Sequence, residues 1–347
     1  MFPALAVARL VRERGHKILF VGTREGMESK LVPEAGYDIA FIRIGGLNRV
    51  GVRTGIKSAW QLPTSVVAAG NLIRRWKPDA LFSMGGYVAG PVMLAANLLR
   101  LPLIIMEPNA IPGFANRTLA RRVYRALVGF ESTARYFPRG RTEVTGLPIR
   151  DAFFDLQPKA NGPFTLLVTG GSRGARTLNR ASRESWPLFR AAGVPIRIVH
   201  QSGASEHETL VKEFAAAGVA GEVVPFIQDM PAAFANADLV LARSGAGSVG
   251  ELAAARMPSI LVPLPFAADD HQRKNAEALV EAGGARMVLD QELTGERLFR
   301  EVEELRKEPA QLAQMRESLR SLARRGAAQR AVEVLEEAAY QKNANVR

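Results

Sequence analysis

Glycine-rich turns set between an apolar strand and a helix occur at corresponding places in the two halves of this chain, and they narrow the fold to strand–helix alternation. In the first half, Asp79-Ala80-Leu81-Phe82 runs into Ser83-Met84-Gly85-Gly86-Tyr87-Val88-Ala89-Gly90-Pro91. In the second, Phe164-Thr165-Leu166-Leu167-Val168 runs into Thr169-Gly170-Gly171-Ser172-Arg173-Gly174-Ala175-Arg176. Glycines at such a junction let the backbone turn sharply and let a ligand approach the peptide amides, while the following helix directs its positive end at that spot. One such turn is common and says little. Two in corresponding places suggest two nucleotide-binding-like domains facing each other.

The rest of the chain follows the same rhythm. Apolar runs at Lys17 to Gly22, Ile39 to Ile42, Ala80 to Phe82, Leu103 to Ile105 and Ala126 to Val128 read as strands of the first half. Those at Leu166 to Val168, Ile196 to Val199, Glu222 to Val224, Leu239 to Leu241 and Ile260 to Val262 read as strands of the second. Continuous apolar strands alternating with helices predict an α/β fold with parallel sheets covered on both faces, whose ligands bind beyond the carboxyl ends of the strands. Pro and Gly punctuate Gly146 to Arg150, which puts the domain boundary there, with a linker to about Gly162. Residues 1–150 form the first domain and 151–325 the second. The Ala/Leu/Glu/Arg-rich stretch Glu308 to Ala339 supplies closing helices, of which 326–347 is expected to pack back on the first domain.

Composition excludes several classes. The 347 residues contain no cysteine, so disulfides, thiolate zinc sites and cysteine nucleophiles are out, and a reducing, cytoplasmic setting is expected. Four histidines, His16, His200, His207 and His271, lack metal-site spacing. The net charge of +12 calls for an anionic partner. Nucleic acid is not expected, because the basic residues are dispersed and no nucleic-acid module is readable. The longest apolar run, Gly90 to Met106, is broken by Asn97, Arg100 and Pro102, so no membrane span is predicted.

Two further loops carry chemistry. The buried strand Asp238 to Ala242 turns through Arg243-Ser244-Gly245-Ala246-Gly247-Ser248-Val249-Gly250-Glu251 into a helix, and the amides of Ala246, Gly247 and Ser248 at its start suit a diphosphate. Glu251 suits either a ribose hydroxyl pair or a helix-start carboxylate, and local sequence leaves the two even. After the next strand, Pro263 to Ala276 is a polar loop leading into an amphipathic helix. Asp269, His271 and Gln272 stand there for reading a sugar, or else Asp269 is a simple N-cap.

In their order along the chain, the segments Phe2 to Ala8, Met84 to Pro91, Glu107-Pro108-Asn109-Ala110-Ile111-Pro112-Gly113, Gly170 to Arg176, His200-Gln201-Ser202-Gly203 and Arg243 to Ala246 resemble one family closely. It is the UDP-N-acetylglucosamine transferases of glycosyltransferase family 28, which convert undecaprenyl-diphosphate-linked muramyl-pentapeptide, lipid I, into lipid II for peptidoglycan. The resemblance implies the GT-B fold, two Rossmann-like domains across a deep cleft, and an inverting transfer to the muramyl 4-hydroxyl that uses neither metal nor cofactor. It assigns donor binding to Phe226 and the Ile227 backbone at uracil, to Glu251 at the ribose, and to Arg150, Ser172 and the amides of Ala246, Gly247 and Ser248 at the diphosphate. Gln272, His271 and Asn179 would lie near the sugar or its phosphate, and Arg243 belongs to the same donor motif. Gly85, Gly86, Tyr87, Glu107, Asn109 and Asn116 would serve the acceptor.

The resemblance also implies a peripheral place on the cytoplasmic face of the bacterial inner membrane, with an anionic lipid surface and cell-wall or division proteins as further partners. Trp60, Leu72, Ile73, Arg74, Arg75, Trp76 and Lys77 combine apolar side chains with flanking cations, an interfacial pattern. From periodicity alone, the same stretch reads as a helix packing Trp60, Leu72 and Trp76 into a core. The chain departs from the family at two places. Met106 and Pro108 stand where the family often has His and Gln. Met1 directly precedes Phe2-Pro3, where the family has a strand and a Gly-Gly-Thr-Gly-Gly-His loop carrying its candidate general base. Met1 is therefore expected to be an internal start. If the chain is complete, the expectation is unpaired edges beside the missing strand, each buried group costing about 1–3 kcal/mol, and weak turnover with donor binding retained. No other catalytic base is nominated. The competing readings are another GT-B glycosyltransferase or a UDP-sugar epimerase, and an inactive nucleotide-binding scaffold.

Overall fold

The computed structural model describes residues 1–43, 52–86, 88–157, 159–171 and 174–344, the side chains at 2, 52–61 and 268 excepted. Along the chain lie α1 (Phe2–Glu13), β1 (Leu19–Gly22), α2 (Glu28–Glu34), β2 (Asp38–Phe41), α3 (Val52–Trp76), β3 (Leu81–Ser83), α4 (Ala89–Leu98), β4 (Leu103–Glu107), α5 (Phe114–Leu119), β5 (Arg125–Val128) and β6 (Thr142–Val144). They are followed by β7 (Phe164–Thr169), α6 (Arg176–Ala191), β8 (Ile196–Gln201), α7 (His207–Ala217), β9 (Ala220–Val224), α8 (Met230–Ala235), β10 (Leu239–Ala242), α9 (Ala246–Ala254), β11 (Ser259–Leu261), α10 (His271–Glu281), β12 (Ala285–Met287), α11 (Gly295–Lys307), α12 (Pro309–Ser318) and α13 (Ala327–Ala344). Two compact units result, Met1–Ile149 with Gly326–Arg347, and Arg150–Arg325.

The second unit has one six-stranded sheet in the order β12-β11-β10-β7-β8-β9, with every ladder parallel. Counted from its own first strand this is the 3-2-1-4-5-6 order of doubly wound dinucleotide-binding folds, whose ligands sit where the strand order reverses. The reversal falls between β7 and β10, and their loops are the glycine turn at 170–175 and the start of α9. β10 is apolar throughout and β7 is apolar but for the buried Thr165 and Thr169, because helices cover both faces of a parallel sheet. On α6, Leu178, Ala181, Trp186 and Phe189 recur at helical spacing and pack against Leu166, Val168 and Ile198.

In the first unit, β3-β4-β5-β6 form a parallel four-stranded sheet and β1-β2 a separate parallel pair. Among the described residues β1 has a strand neighbour only in β2, and β3 only in β4. The last helix, α13, closes this unit. Ala331, Val332, Val334 and Ala338 pack with Val7 of α1 and with Ile104, Met106 and Leu127. Arg330 forks onto both oxygens of Glu143 at 2.7 and 3.0 Å, and Glu336 accepts from Arg14 and His16. The Glu308 to Ala339 stretch supplies closing helices as expected, α12 and most of α13, separated by a 3-10 turn at Leu319–Ser321 and by Gly326, with φ of 88°.

All ten expected strands are present, with ends shifted by at most two residues. β6 and β12 are additional. Each is three residues long and carries a charged centre, Glu143 or Arg286, so neither shows an apolar run. Among the described residues, no helix is long and apolar enough to cross a membrane.

Candidate functional site

In the second unit the loops on either side of the strand-order reversal meet the requirements of an anionic ligand. Gly170 and Gly174 are both obligatory. A Cβ on Gly170 would collide with the Ala175 backbone, and one on Gly174, whose φ is 73°, would strike the Ser202 carbonyl. The turn can therefore lie flat against the end of β8. Gly171 and Gly174 both have positive φ, and a side chain at Gly171 would meet only open space. Ser172 lies outside the described residues.

α9 starts at Ala246 after the extended Gly245, and no side chain caps it. The first N–H of the helix to reach back to the Gly245 carbonyl is that of Val249, at 2.9 Å, which leaves the amides of Ala246, Gly247 and Ser248 pointing out of the helix start. A Cβ on Gly245 or Gly247 would meet nothing within 4 Å, so a ligand has room to approach. Arg150, the first residue of the unit, lies with its guanidinium 5.0 Å from the centre of the Phe153 ring. Phe153 is fully buried and meets Phe234 edge to face at 5.4 Å. This fixed platform aims a cation toward Glu251. Burial raises the Glu251 carboxyl to about 7, and the positive charge of Arg150 only partly offsets that rise.

Two of the expected donor residues are engaged within the protein. Arg243 donates from Nη1 to the carbonyls of Val262 at 3.1 Å and Pro263 at 3.3 Å, and it pairs with Asp290, which also accepts from Thr177. It braces the ends of β10 and β11 and the start of α6. Asn179 is buried, and its Nδ2 donates to the Ser202 carbonyl at 2.9 Å and to Glu206 at 2.7 Å. Its Oδ1 accepts from Nε2 of His200 at 2.9 Å. Burial pulls His200 down to about 4, so the imidazole is neutral at physiological pH. Asn179 thus supports the Ser202 strand end on which Gly174 rests.

The segment after β11 is strained. Phe266, Asp269 and Asp270 have φ of 64°, 51° and 55°, a conformation that side chains other than glycine seldom adopt. Gln272 accepts the Leu264 N–H at 3.0 Å through Oε1, which leaves its NH₂ group for a ligand. His271 lies 3.8 Å from Asp269, and its Nδ1 is buried without a partner. Phe226 follows β9 and is 47% exposed, open to stack on a base. The Ile227 N–H donates to Oε1 of Gln201 at 2.9 Å, so the carbonyl of Ile227 is the backbone group left for a base edge. Sequence reasoning gave Gln201 no role. The signal available was an amide at the end of the otherwise apolar strand Ile196-Arg197-Ile198-Val199-His200-Gln201.

In the first unit, Gly85 and Gly86 both have positive φ and precede α4, and Gly85 packs so closely on the Asn116 amide that a Cβ would stand 2.9 Å from it. Glu107 is 1% exposed and accepts four hydrogen bonds, from the N–H and Nδ2 of Asn109, from the Gly113 N–H and from Nδ2 of Asn116, at 2.8–3.1 Å. It shapes the 107–116 loop from within. Oδ1 of Asn116 is buried and unpartnered. Tyr87 and the Trp60 side chain lie outside the described residues. On α3, Ile73 packs against Val92 and Ala95 together with Val66, whereas Leu62 and Val67 are exposed, and Trp76, 41% exposed, is flanked by Arg74, Arg75 and Lys77. Leu72 is half-buried.

Residues 1–128 match the glycosyltransferase family 28 N-terminal domain, and residues 165–331 match the family's C-terminal domain. A protein of Solibacter usitatus, named as UDP-N-acetylglucosamine–N-acetylmuramyl-(pentapeptide) pyrophosphoryl-undecaprenol N-acetylglucosamine transferase, is 55% identical over 98% of this chain and 93% of its own length. A protein of the same name from Halorhodospira halophila is 44% identical over 98% and 95%. The crystal structure of Acinetobacter baumannii MurG superposes with a TM-score of 0.81 at 33% identity, covering 97% of this chain and 95% of that one. Both domain matches occur in chain order on a two-unit parallel α/β architecture, with relatives similar over nearly their whole length, so the chain belongs to glycosyltransferase family 28.

Proposed function

We infer that the protein transfers N-acetylglucosamine from UDP-N-acetylglucosamine to lipid I, giving lipid II. The observation that carries this reading is the meeting, at one strand-order reversal, of the open amides of α9 and the glycine turn after β7, with the Phe153-backed Arg150 close to Glu251 of α9 and the half-exposed Phe226 beyond the end of β9 in the same sheet. These are the groups a uridine diphosphate needs, in a chain whose 55% identical relative is named for this transfer.

The chemistry follows from what those groups do to charge. As the muramyl 4-hydroxyl gives up its proton to a base and its oxygen bonds to the anomeric carbon, the bond from that carbon to the diphosphate oxygen breaks and its electron pair moves onto UDP. Negative charge grows there, and preorganised donors that need no reorganisation stabilise it more in the transition state than in the ground state. The α9 amides and Arg150 supply them. Glu251 accepts the ribose hydroxyls, Phe226 covers the base, and the NH₂ group of Gln272 meets the sugar. Asn179 and Arg243 hold the surrounding loops, and the unpartnered Nδ1 of His271 is left for the sugar or its phosphate.

The acceptor reaches the Gly85-Gly86 turn and the loop shaped by Glu107, Asn109 and Asn116. Exposed Trp76, flanked by Arg74, Arg75 and Lys77, supports peripheral attachment to an anionic lipid surface at the cytoplasmic face of the membrane, where the acceptor is anchored. Proteins of cell-wall synthesis and division are natural neighbours there. Incubating the protein with radiolabelled UDP-N-acetylglucosamine and lipid I tests the reading. Label in a lipid-linked disaccharide supports it, and label recovered only as free or epimerised UDP-sugar refutes it.

A further inference from the structure

Gln201 ends β8, the strand that lies between β7 and β9, and its side chain is 1% exposed. Position and chemistry together make it a bridge. Its Nε2 donates to the Gly171 carbonyl at 2.8 Å, while its Oε1 accepts the Ile227 N–H at 2.9 Å. In the parallel register Gln201 pairs with Thr169 on one side and Val224 on the other, so this residue stands next to both loops at once. The task needs an amide: a carboxylate cannot donate to Gly171, and a thioether of similar length serves neither end.

We propose that Gln201 is a positioning residue that ties the glycine turn, where the diphosphate sits, to the Phe226-Ile227 segment, where the base is read, so that a nucleoside diphosphate meets both ends at a set spacing. This rests on the donor-site reading of the second unit given above. With the Ile227 N–H held by Gln201, the Ile227 carbonyl faces the base. A carbonyl accepts from the N3–H of uracil and finds no such donor on cytosine, so the same bridge favours UDP over CDP.

The test is calorimetric titration of UDP, UMP and CDP into the wild type, Gln201→Met and Gln201→Glu, with steady-state kinetics on each. Gln201→Met is expected to weaken UDP about tenfold, the scale of a lost buried hydrogen bond, and to narrow both the UDP-over-UMP and UDP-over-CDP preferences. KM for the donor rises more than kcat falls. Gln201→Glu keeps the acceptor for Ile227 and loses the donor to Gly171, so it retains the base preference while the UDP-over-UMP preference narrows. Unchanged preferences in a folded Gln201→Met protein overturn the coupling and leave the donor site standing. A wild type that binds no UDP overturns the donor site itself and the coupling with it. Failure of both variants to fold also overturns the proposal, because Gln201 would then be purely structural.

Discussion

Replacing Glu251 with Gln separates what the site does for binding from what it does to stability. Burial holds the Glu251 carboxyl at about 7, against an ordinary value of 4.5. A carboxyl whose folded pKa is raised takes nothing from stability below its unfolded pKa, where both states are protonated. As pH rises past 4.5 the unfolded state loses its proton first, and folding becomes progressively less favourable until the folded state ionises near 7. At 1.36 kcal/mol per unit, the penalty grows from under 1 kcal/mol at pH 5 to about 3 kcal/mol at pH 8, before discounting for the solvent that still reaches the group. Glutamine removes the ionisation. Glu251→Gln is therefore expected to melt higher than wild type at pH 8, by about 3–8 °C for a unit of this size, and to differ much less at pH 5. The same change weakens UDP-N-acetylglucosamine binding by about tenfold, since hydrogen bonds to a charged group are the stronger ones. Calorimetric unfolding at both pH values, with donor titration at pH 8, measures the three quantities. A stability difference independent of pH, or a variant less stable at pH 8, would refute the electrostatic reasoning.

Other outcomes follow from single contacts. Gly174→Ala forces a Cβ against the Ser202 carbonyl at φ of 73°, and should lower stability by about 2 kcal/mol and abolish measurable UDP binding; thermal melts and titration check both. Glu107→Gln replaces one carboxylate oxygen, and with it two of the four acceptor contacts, by a donor facing donors, which should cost about 1–3 kcal/mol and raise KM for lipid I with little change for the donor sugar. Trp76→Ser combined with Arg75→Glu should reduce co-sedimentation with anionic liposomes several-fold and leave UDP affinity unchanged. Undiminished sedimentation would move the membrane face elsewhere.

The parallel sheets were legible because their strands are short apolar runs ended by glycine turns, a pattern that solvent on either face would not permit. β6 and β12 were not legible, since three residues with a central charge carry no period. The glycine loops and the α9 start could be picked out as candidate anion seats from residue type alone, because the role proposed for them needs open backbone amides. Side chains were harder. Arg243 and Asn179 are polar residues beside those loops, yet ion pairing with Asp290 and hydrogen bonding to His200 and Glu206 engage them inward. Gln201 sits inside a motif readable in sequence, but its role depends on β8 lying between β7 and β9, and strand order is not written locally. The platform of Phe153 beneath Arg150 is equally a product of packing between distant segments, since Phe234 completes it.

The most direct measurement is a crystal structure of the protein with UDP bound. The diphosphate is expected on the amides of Ala246, Gly247 and Ser248 beside Arg150, the ribose at Glu251, and the uracil against Phe226 with its N3–H on the Ile227 carbonyl. UDP seated instead at the Gly85-Gly86 turn of the first unit, with the α9 start empty, would contradict it.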